Sequence, residues 1–159
     1  MAKKPDLDRK VVAQNRKARH EYEILETYEV GVVLKGTEVK SIRMGKFSLA
    51  EAFATVHNNE LFLVNAHVDE YAQGNIFNHP VRRERKLLAH RREILEMEQA
   101  VNRKGHTLIP LKAYFKGDVL KIQLAVGRGK DARDKRQDKA KQEAKREIAR
   151  ALREQERNR

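Results

Sequence analysis

The chain has 159 residues, no cysteine, and 35 Lys and Arg against 23 Asp and Glu, a formal net charge of +12. One compact domain with an appendage suits this length, and without cysteine there are no disulfides, thiolate metal sites or cysteine nucleophiles. No apolar run reaches the roughly 18 residues of a membrane span, and the N-terminus carries no signal-peptide pattern, so a soluble cytoplasmic protein with a nucleic-acid partner is expected, ahead of a membrane surface.

Residues 1–20 read as a basic N-terminal segment ending in Arg16-Lys17-Ala18-Arg19-His20. The runs Tyr22–Tyr28 and Val30–Leu34 are β-branched or aromatic and predict two strands. Gly36-Thr37 then opens a short helix through Val39 and Ile42 to Gly45, with Thr37 as the expected N-cap. Phe47–Val56 and Leu61–Val68 flank His57-Asn58-Asn59-Glu60, where two residues tolerant of left-handed backbone predict a hairpin. Residues 69–80 are loop-like and end at Pro80.

From Val81 to Lys104 the periodicity is helical, with Leu87, His90, Ile94, Met97 and Val101 on one stripe and Gly105 as terminator. In this reading Arg82-Arg83-Glu84-Arg85-Lys86 forms the first turns, where cations oppose the helix dipole, which favours contact with an anion. A second hairpin runs from Leu108–Phe115 to Val119–Val126 around Lys116-Gly117-Asp118. The fold expected from this pattern is mostly β: an antiparallel OB-like barrel of about six strands over residues 21–126, with inserted helices.

Residues 127–159 form a tail holding 13 Lys and Arg against 7 Asp and Glu, with only Ile148 and Leu152 as large apolar residues. It cannot bury enough surface to offset chain ordering, yet Ala140, Ala144, Ile148 and Ala151/Leu152 keep a helical period, so a helix formed on a partner is expected. Gly127-Arg128-Gly129-Lys130-Asp131-Ala132 matches a permissive dinucleotide fingerprint, but no second strand follows to complete that site. The two glycines read instead as a hinge.

Catalytic patterns are missing from the sequence. The six histidines lack metal-ligand spacing, and the serines at 41 and 48 sit in no nucleophile elbow. Nine aromatic residues are few for a protein that stacks single-stranded bases, so a folded RNA read through shape, phosphate and 2′-OH fits better. A generic basic RNA-binding module or RNA chaperone satisfies the same composition.

Five strings occur here in order: Asn15–Tyr22, Gly36–Lys46, Gln73-Gly74-Asn75, Arg85-Lys86-Leu87-Leu88 and Asp134-Lys135-Arg136. On these the chain resembles the SmpB family, the SsrA-binding proteins of bacterial trans-translation, from about residue 13 to the C-terminus. The resemblance implies an OB-type barrel that binds the tRNA-like domain of tmRNA and enters stalled ribosomes as an adaptor, with neither enzymatic activity, cofactor, metal nor small-molecule substrate. The RNA contacts it implies fall on Asn15, Tyr22, Glu29 and Leu88, with Arg16, Lys17, Arg19, Lys40, Arg85, Lys86 and Arg91 around them. In the tail, Gly127, Lys130, Asp134, Lys135 and Arg136 match the segment that occupies the decoding centre and the empty mRNA channel. Arg133 stands where Tyr or His is common, Pro80 follows His79 rather than an acidic residue, and Ala89 replaces a frequent leucine.

Overall fold

The computed structural model describes residues 9–74, 78–130 and 132–157. Among these the elements are β1 (Arg9–Gln14), α1 (Ala18–Glu21), β2 (Tyr22–Val32), α2 (Gly36–Arg43), β3 (Phe47–Ser48), β4 (Phe53–His57), β5 (Glu60–Val64), β6 (His67–Val68), β7 (Arg85–Leu88), α3 (Arg91–Val101), β8 (His106–Lys116), β9 (Val119–Gly129) and α4 (Ala132–Arg157). Strands β8, β4, β5, β7, β2 and β9 pair in that order, and β9 pairs back onto β8. This closes a ring of six antiparallel strands, in agreement with the mostly-β, barrel-like expectation. Closure pairs both edges of the six ring strands, whereas β1 is added on β8 and pairs no other strand among the described residues.

Period-two alternation decides which side chains line the ring. In β9, Leu120, Ile122, Leu124 and Val126 enter the main core with Val30, Leu61, Leu63, Leu87 and Leu108, while Lys121 and Gln123 take the alternate positions. Each fully buried Leu or Ile contributes about 1.5–3 kcal/mol. Ile94 and Met97 of α3 and Ile42 of α2 are buried in the same cluster.

Proline explains a local break in this pattern. Pro110 lies within β8, where it cannot donate to a ladder, and the register against β9 shifts between Pro110 and Lys112. Residues before it pair β4, through Ala54↔Leu108, and residues after it pair β1, from Gln14↔Lys112 to Arg9↔Lys116. Residues 9–14, expected in a separate N-terminal segment, are therefore a strand of the sheet.

The Asn58-Asn59 hairpin is present, with φ of 50° and 61° at the two residues. The strands predicted over Phe47–Val56 and Leu61–Val68 are each divided, so that β3 and β6 form a small separate pair. The two runs before residue 34 are instead one strand, β2. Thr37 is not the N-cap of α2: Lys35 holds that place, and Thr37 Oγ1 lies 2.8 Å from His79 Nδ1. His79, 2% exposed, donates from Nε2 to the carbonyls of Val68 and Asp69 at 3.1 and 3.0 Å, tying the 69–80 loop to α2.

The helix expected over Val81–Lys104 is confined to Arg91–Val101. Arg85 and Leu87 are buried while Lys86 and Leu88 are exposed, an alternation that belongs to a strand. Pairing with β5 and β2 overrides the helical period, so the cations of residues 82–86 oppose no helix dipole. His90 is the N-cap of α3, and Glu93 returns to its backbone N–H at 3.4 Å.

The hinge assigned to Gly127 and Gly129 is also corrected, because both lie in β9, opposite Ile24 and Tyr22 of β2. A Cβ on Gly127 would stand 2.8 Å from Ile109 Cδ1 and 3.1 Å from Tyr22 Cβ. Gly127 thus belongs to the ring rather than the tail, and its missing side chain is what lets two strands' side chains close over it. Gly127→Ala should lower stability by about 1–3 kcal/mol, measurable as a lower midpoint in heat or urea; an unchanged midpoint would contradict this close approach.

Candidate nucleic-acid interface

The outer face over β7, β2, β9, β8 and β1 collects most of the candidate residues, and strand register shows how. Leu88 of β7 pairs Gly31 of β2, Gly31 pairs Lys121 of β9, Lys121 pairs Tyr114 of β8, and Tyr114 pairs Val11 of β1. Beside this row runs a second, Glu29–Gln123–Lys112. Residues from distant parts of the chain thereby become neighbours on one surface. Leu88, which isolated pattern reading would place in the core, is 53% exposed. Gly31 beneath it has no side chain to cover it.

Glu29 is central to these rows. Tyr114 Oη donates to its Oε2, and Lys116 Nζ lies 3.5 Å from its Oε1. Lys112 Nζ sits 5.7 Å from the centroid of the Tyr114 ring. A carboxylate only accepts, through about four lone-pair sites on its two oxygens, and here it is flanked by cations.

At the other end of the face, a small apolar cluster of Ala18, Ile109, Leu111 and Ala125, flanked by Tyr22 and Ile24, seats α1 on the sheet. Asn15 fixes the approach to α1. It is 8% exposed, its Nδ2 donates to the Pro110 carbonyl at 3.1 Å, its N–H donates to Leu111 O at 2.8 Å, and its carbonyl accepts from Ala18 N–H. Asn15 is therefore a buried strap, and the exposed residues around it are Arg16, Lys17 and Arg19. Arg16 and Arg19 share a cleft with Lys112 and Gln123, which joins α1 to the Glu29 row.

The tail leaves from this same corner. Lys130 N–H donates to Glu21 O and its Nζ to Arg19 O, both at 2.9 Å. Arg128 pairs with Glu23, and Arg19, Tyr22, Arg128 and Lys130 line a cleft of about 510 Å³. Beyond it α4 runs to Arg157, and every side chain described from Arg136 onward is exposed. Arg136 is among these exposed side chains. Asp134 and Lys135 fall within α4, but their side chains, like Asn75, lie outside the described residues.

Four further expected contacts are placed as follows. Arg85 is fully buried: its Nε donates to Glu38 Oε2 at 2.5 Å, and its remaining donors reach the carbonyls of Ala66, Arg83 and Val81. It is a core ion-pair residue and presents nothing to RNA. Lys40 is exposed on α2, 5.3 Å from the Tyr71 ring centroid, outside the rows described above. Lys86 is exposed beside Leu88 with its Nζ 3.3 Å from Glu60, and Arg91 is exposed at the start of α3.

The structure adds Lys112, Lys121 and Gln123, which sequence reading missed. The alternation Leu120-Lys121-Ile122-Gln123-Leu124 was legible as one apolar and one polar face. Only the strand order puts that polar face next to Glu29 and Leu88. Together the face offers cations for phosphate, a fixed carboxylate acceptor for amino or 2′-OH donors, and an exposed leucine for a sugar or base edge.

Known proteins share this sequence over most of its length. The SmpB protein family model matches residues 12–154. The SsrA-binding protein of Desulforudis audaxviator is 57% identical over 153 residues, covering 96% of this chain and 98% of the relative. That of Carboxydothermus hydrogenoformans is 54% identical over 144 residues, covering 91% and 97%. A chain of a solved structure described as "tmRNA-SmpB: a journey to the center of the bacterial ribosome" is 48% identical, with a TM-score of 0.64 over 75% of this chain and 84% of that one. Among the described residues no helix is long and apolar enough to cross a membrane.

Proposed function

Given that the chain belongs to the SmpB family, we propose that it is the RNA-binding adaptor of trans-translation, carrying tmRNA by its tRNA-like domain to stalled ribosomes. The observation that carries this reading is the continuous outer face on which Leu88, Glu29, Gln123 and Lys112 meet across four strands, with Arg16 and Arg19 at the α1 corner. The cations hold phosphate, Glu29 accepts from the RNA, and Leu88 supplies an apolar contact. The adaptor performs no reaction of its own and works in the cytoplasm without a cofactor. The tail reads the decoding centre and empty mRNA channel through Lys130, Asp134, Lys135 and Arg136.

Binding of the tRNA-like domain of tmRNA and of an unrelated folded RNA, at matched salt, tests the reading. The salt must match because counterion release otherwise hides specificity. A strong preference for the tRNA-like domain is expected; equal affinities would reduce the protein to a general RNA binder. Glu29→Ala and Leu88→Ala should each weaken that binding by roughly 1–3 kcal/mol and leave the melting curve nearly unchanged. Leu88→Ala is the sharper of the two, since a core role would appear as lost stability with affinity intact.

A helix whose described side chains from Arg136 onward are all exposed is held mainly by local pairs, each worth a few tenths of a kcal/mol. The tail should therefore open readily in the free protein and become ordered on its partner. Amide exchange over Lys139–Leu152 should be fast without ribosomes, and strong protection in the isolated protein would contradict this.

A further inference from the structure

We propose that Tyr114 is a positioning residue for RNA recognition, acting through Glu29 to keep its carboxylate aimed at the RNA. This rests on the reading of Glu29 as an RNA contact. It adds a residue on a different strand, with two strand spacings between it and Glu29.

Glu29 stands among cations. Lys121 lies on the adjacent strand β9 and Lys112 on the next strand, β8, and Lys116 is already 3.5 Å from Oε1. A flexible carboxylate among several lysines is drawn toward whichever ammonium it can reach. An acceptor engaged in that way follows a long, flexible ammonium and is held in no single direction. Geometric specificity then requires a partner of fixed position that holds one oxygen in place.

Tyr114 has the properties this needs. Its ring is 3% exposed and so has little freedom, and its position on β8 is set by pairing with Lys121 on one side and Val11 on the other. From there its hydroxyl spans β9 and donates to Glu29 Oε2. Unlike an ammonium, the phenol is neutral and brings a single proton. It orients the carboxylate without cancelling its charge, which leaves Glu29 an acceptor for base amino groups or 2′-OH. A phosphate would be repelled at the same point, so the pair also directs the backbone toward the flanking lysines.

A double-mutant cycle on the full chain tests this, with Tyr114→Phe, Glu29→Ala and both together titrated with the tRNA-like domain of tmRNA at one salt concentration. Phe keeps the buried ring, and thermal unfolding reports any loss of fold. Tyr114→Phe should weaken binding about fivefold to tenfold, as loss of a hydrogen bond to a charged group does. In the Glu29→Ala background the same change should cost less than about twofold, because the group it acts through is gone. A purely structural role would weaken binding by the same factor in both backgrounds, and equal losses would overturn the proposal. So would an unaffected Tyr114→Phe protein alongside a weakened Glu29→Ala protein, which would leave the Glu29 contact standing. If Glu29→Ala binds normally, the Glu29 contact fails first and the positioning role fails with it. Lysine at 116 provides an internal comparison: Lys116→Met should change the salt dependence of binding, whereas Tyr114→Phe should leave the salt slope as it was.

Discussion

Deleting residues 131–159 should abolish tagging on stalled ribosomes while leaving affinity for the tRNA-like domain within about threefold at physiological salt. The cut must fall after Lys130. Truncation after Val126 would remove the last residues of β9 and the two Lys130 hydrogen bonds to α1, damaging the ring and the RNA face together. The deleted segment carries 11 Lys and Arg and 7 Asp and Glu. If it served only as an electrostatic aid, all RNA binding would weaken in parallel and its salt dependence would flatten. If it reads the ribosome, binding by the ring survives and peptide transfer to tmRNA fails. Replacing Asp134, Lys135 and Arg136 by alanine changes net charge by one unit, so a large tagging defect in that variant would point to specific contacts. Near-normal tagging in both variants would return the tail to a solubility role.

The second large effect concerns stability. Glu38 and Arg85 are both fully buried, and Arg83 adds a second guanidinium 2.5 Å from the same carboxylate. Burial pushes the Glu38 carboxyl upward, but the Arg83 hydrogen bond, the Lys35 backbone N–H and Arg85 outweigh it and hold it below its ordinary value of 4.5. Glu38→Ala leaves two guanidinium groups facing each other beside a vacated site and should cost about 3–5 kcal/mol. That corresponds to a fall in melting temperature of roughly 10 °C or more. Because the folded value lies below the unfolded one, the ion pair's contribution is complete above pH 4.5 and is lost as acid carries the pH down through the folded value. The wild type should lose stability over that acid range, and Glu38→Gln should show a flatter acid limb. A variant as stable as the wild type by urea unfolding would overturn the assignment of Arg85 to the core.

The placement of Arg85 shows why part of the interface was hidden in the sequence. Within Arg82-Arg83-Glu84-Arg85-Lys86-Leu87-Leu88, a helical period and a strand alternation are both available, and cations dominate either way. Local composition labels the whole cluster basic and exposed. The fold instead points Lys86 and Leu88 outward and turns Arg85 in, because Glu38 on α2, 47 residues earlier, supplies a buried counter-charge. The burial of Asn15 is hidden for a related reason: its partner is the carbonyl of Pro110, 95 residues away. By contrast, the Asn58-Asn59 turn and the β8–β9 hairpin depend on neighbours within a few residues and were legible at once.

Legible in the amino-acid sequence alone is the class of the molecule: a basic, mostly-β RNA binder with a charged tail of helical period, and a family resemblance carried by ordered strings. Composition, turn residues and two-residue alternation are local properties, and local properties survive in a one-dimensional reading. Which polar face lies beside which, that Gly127 closes a strand rather than opening a tail, and that Tyr114 reaches Glu29 all depend on the order β7-β2-β9-β8-β1. Strand order is set by burying the apolar faces of distant segments against one another. That energy is collective, shared over the ring's entire core, and no single segment encodes which neighbour it will find.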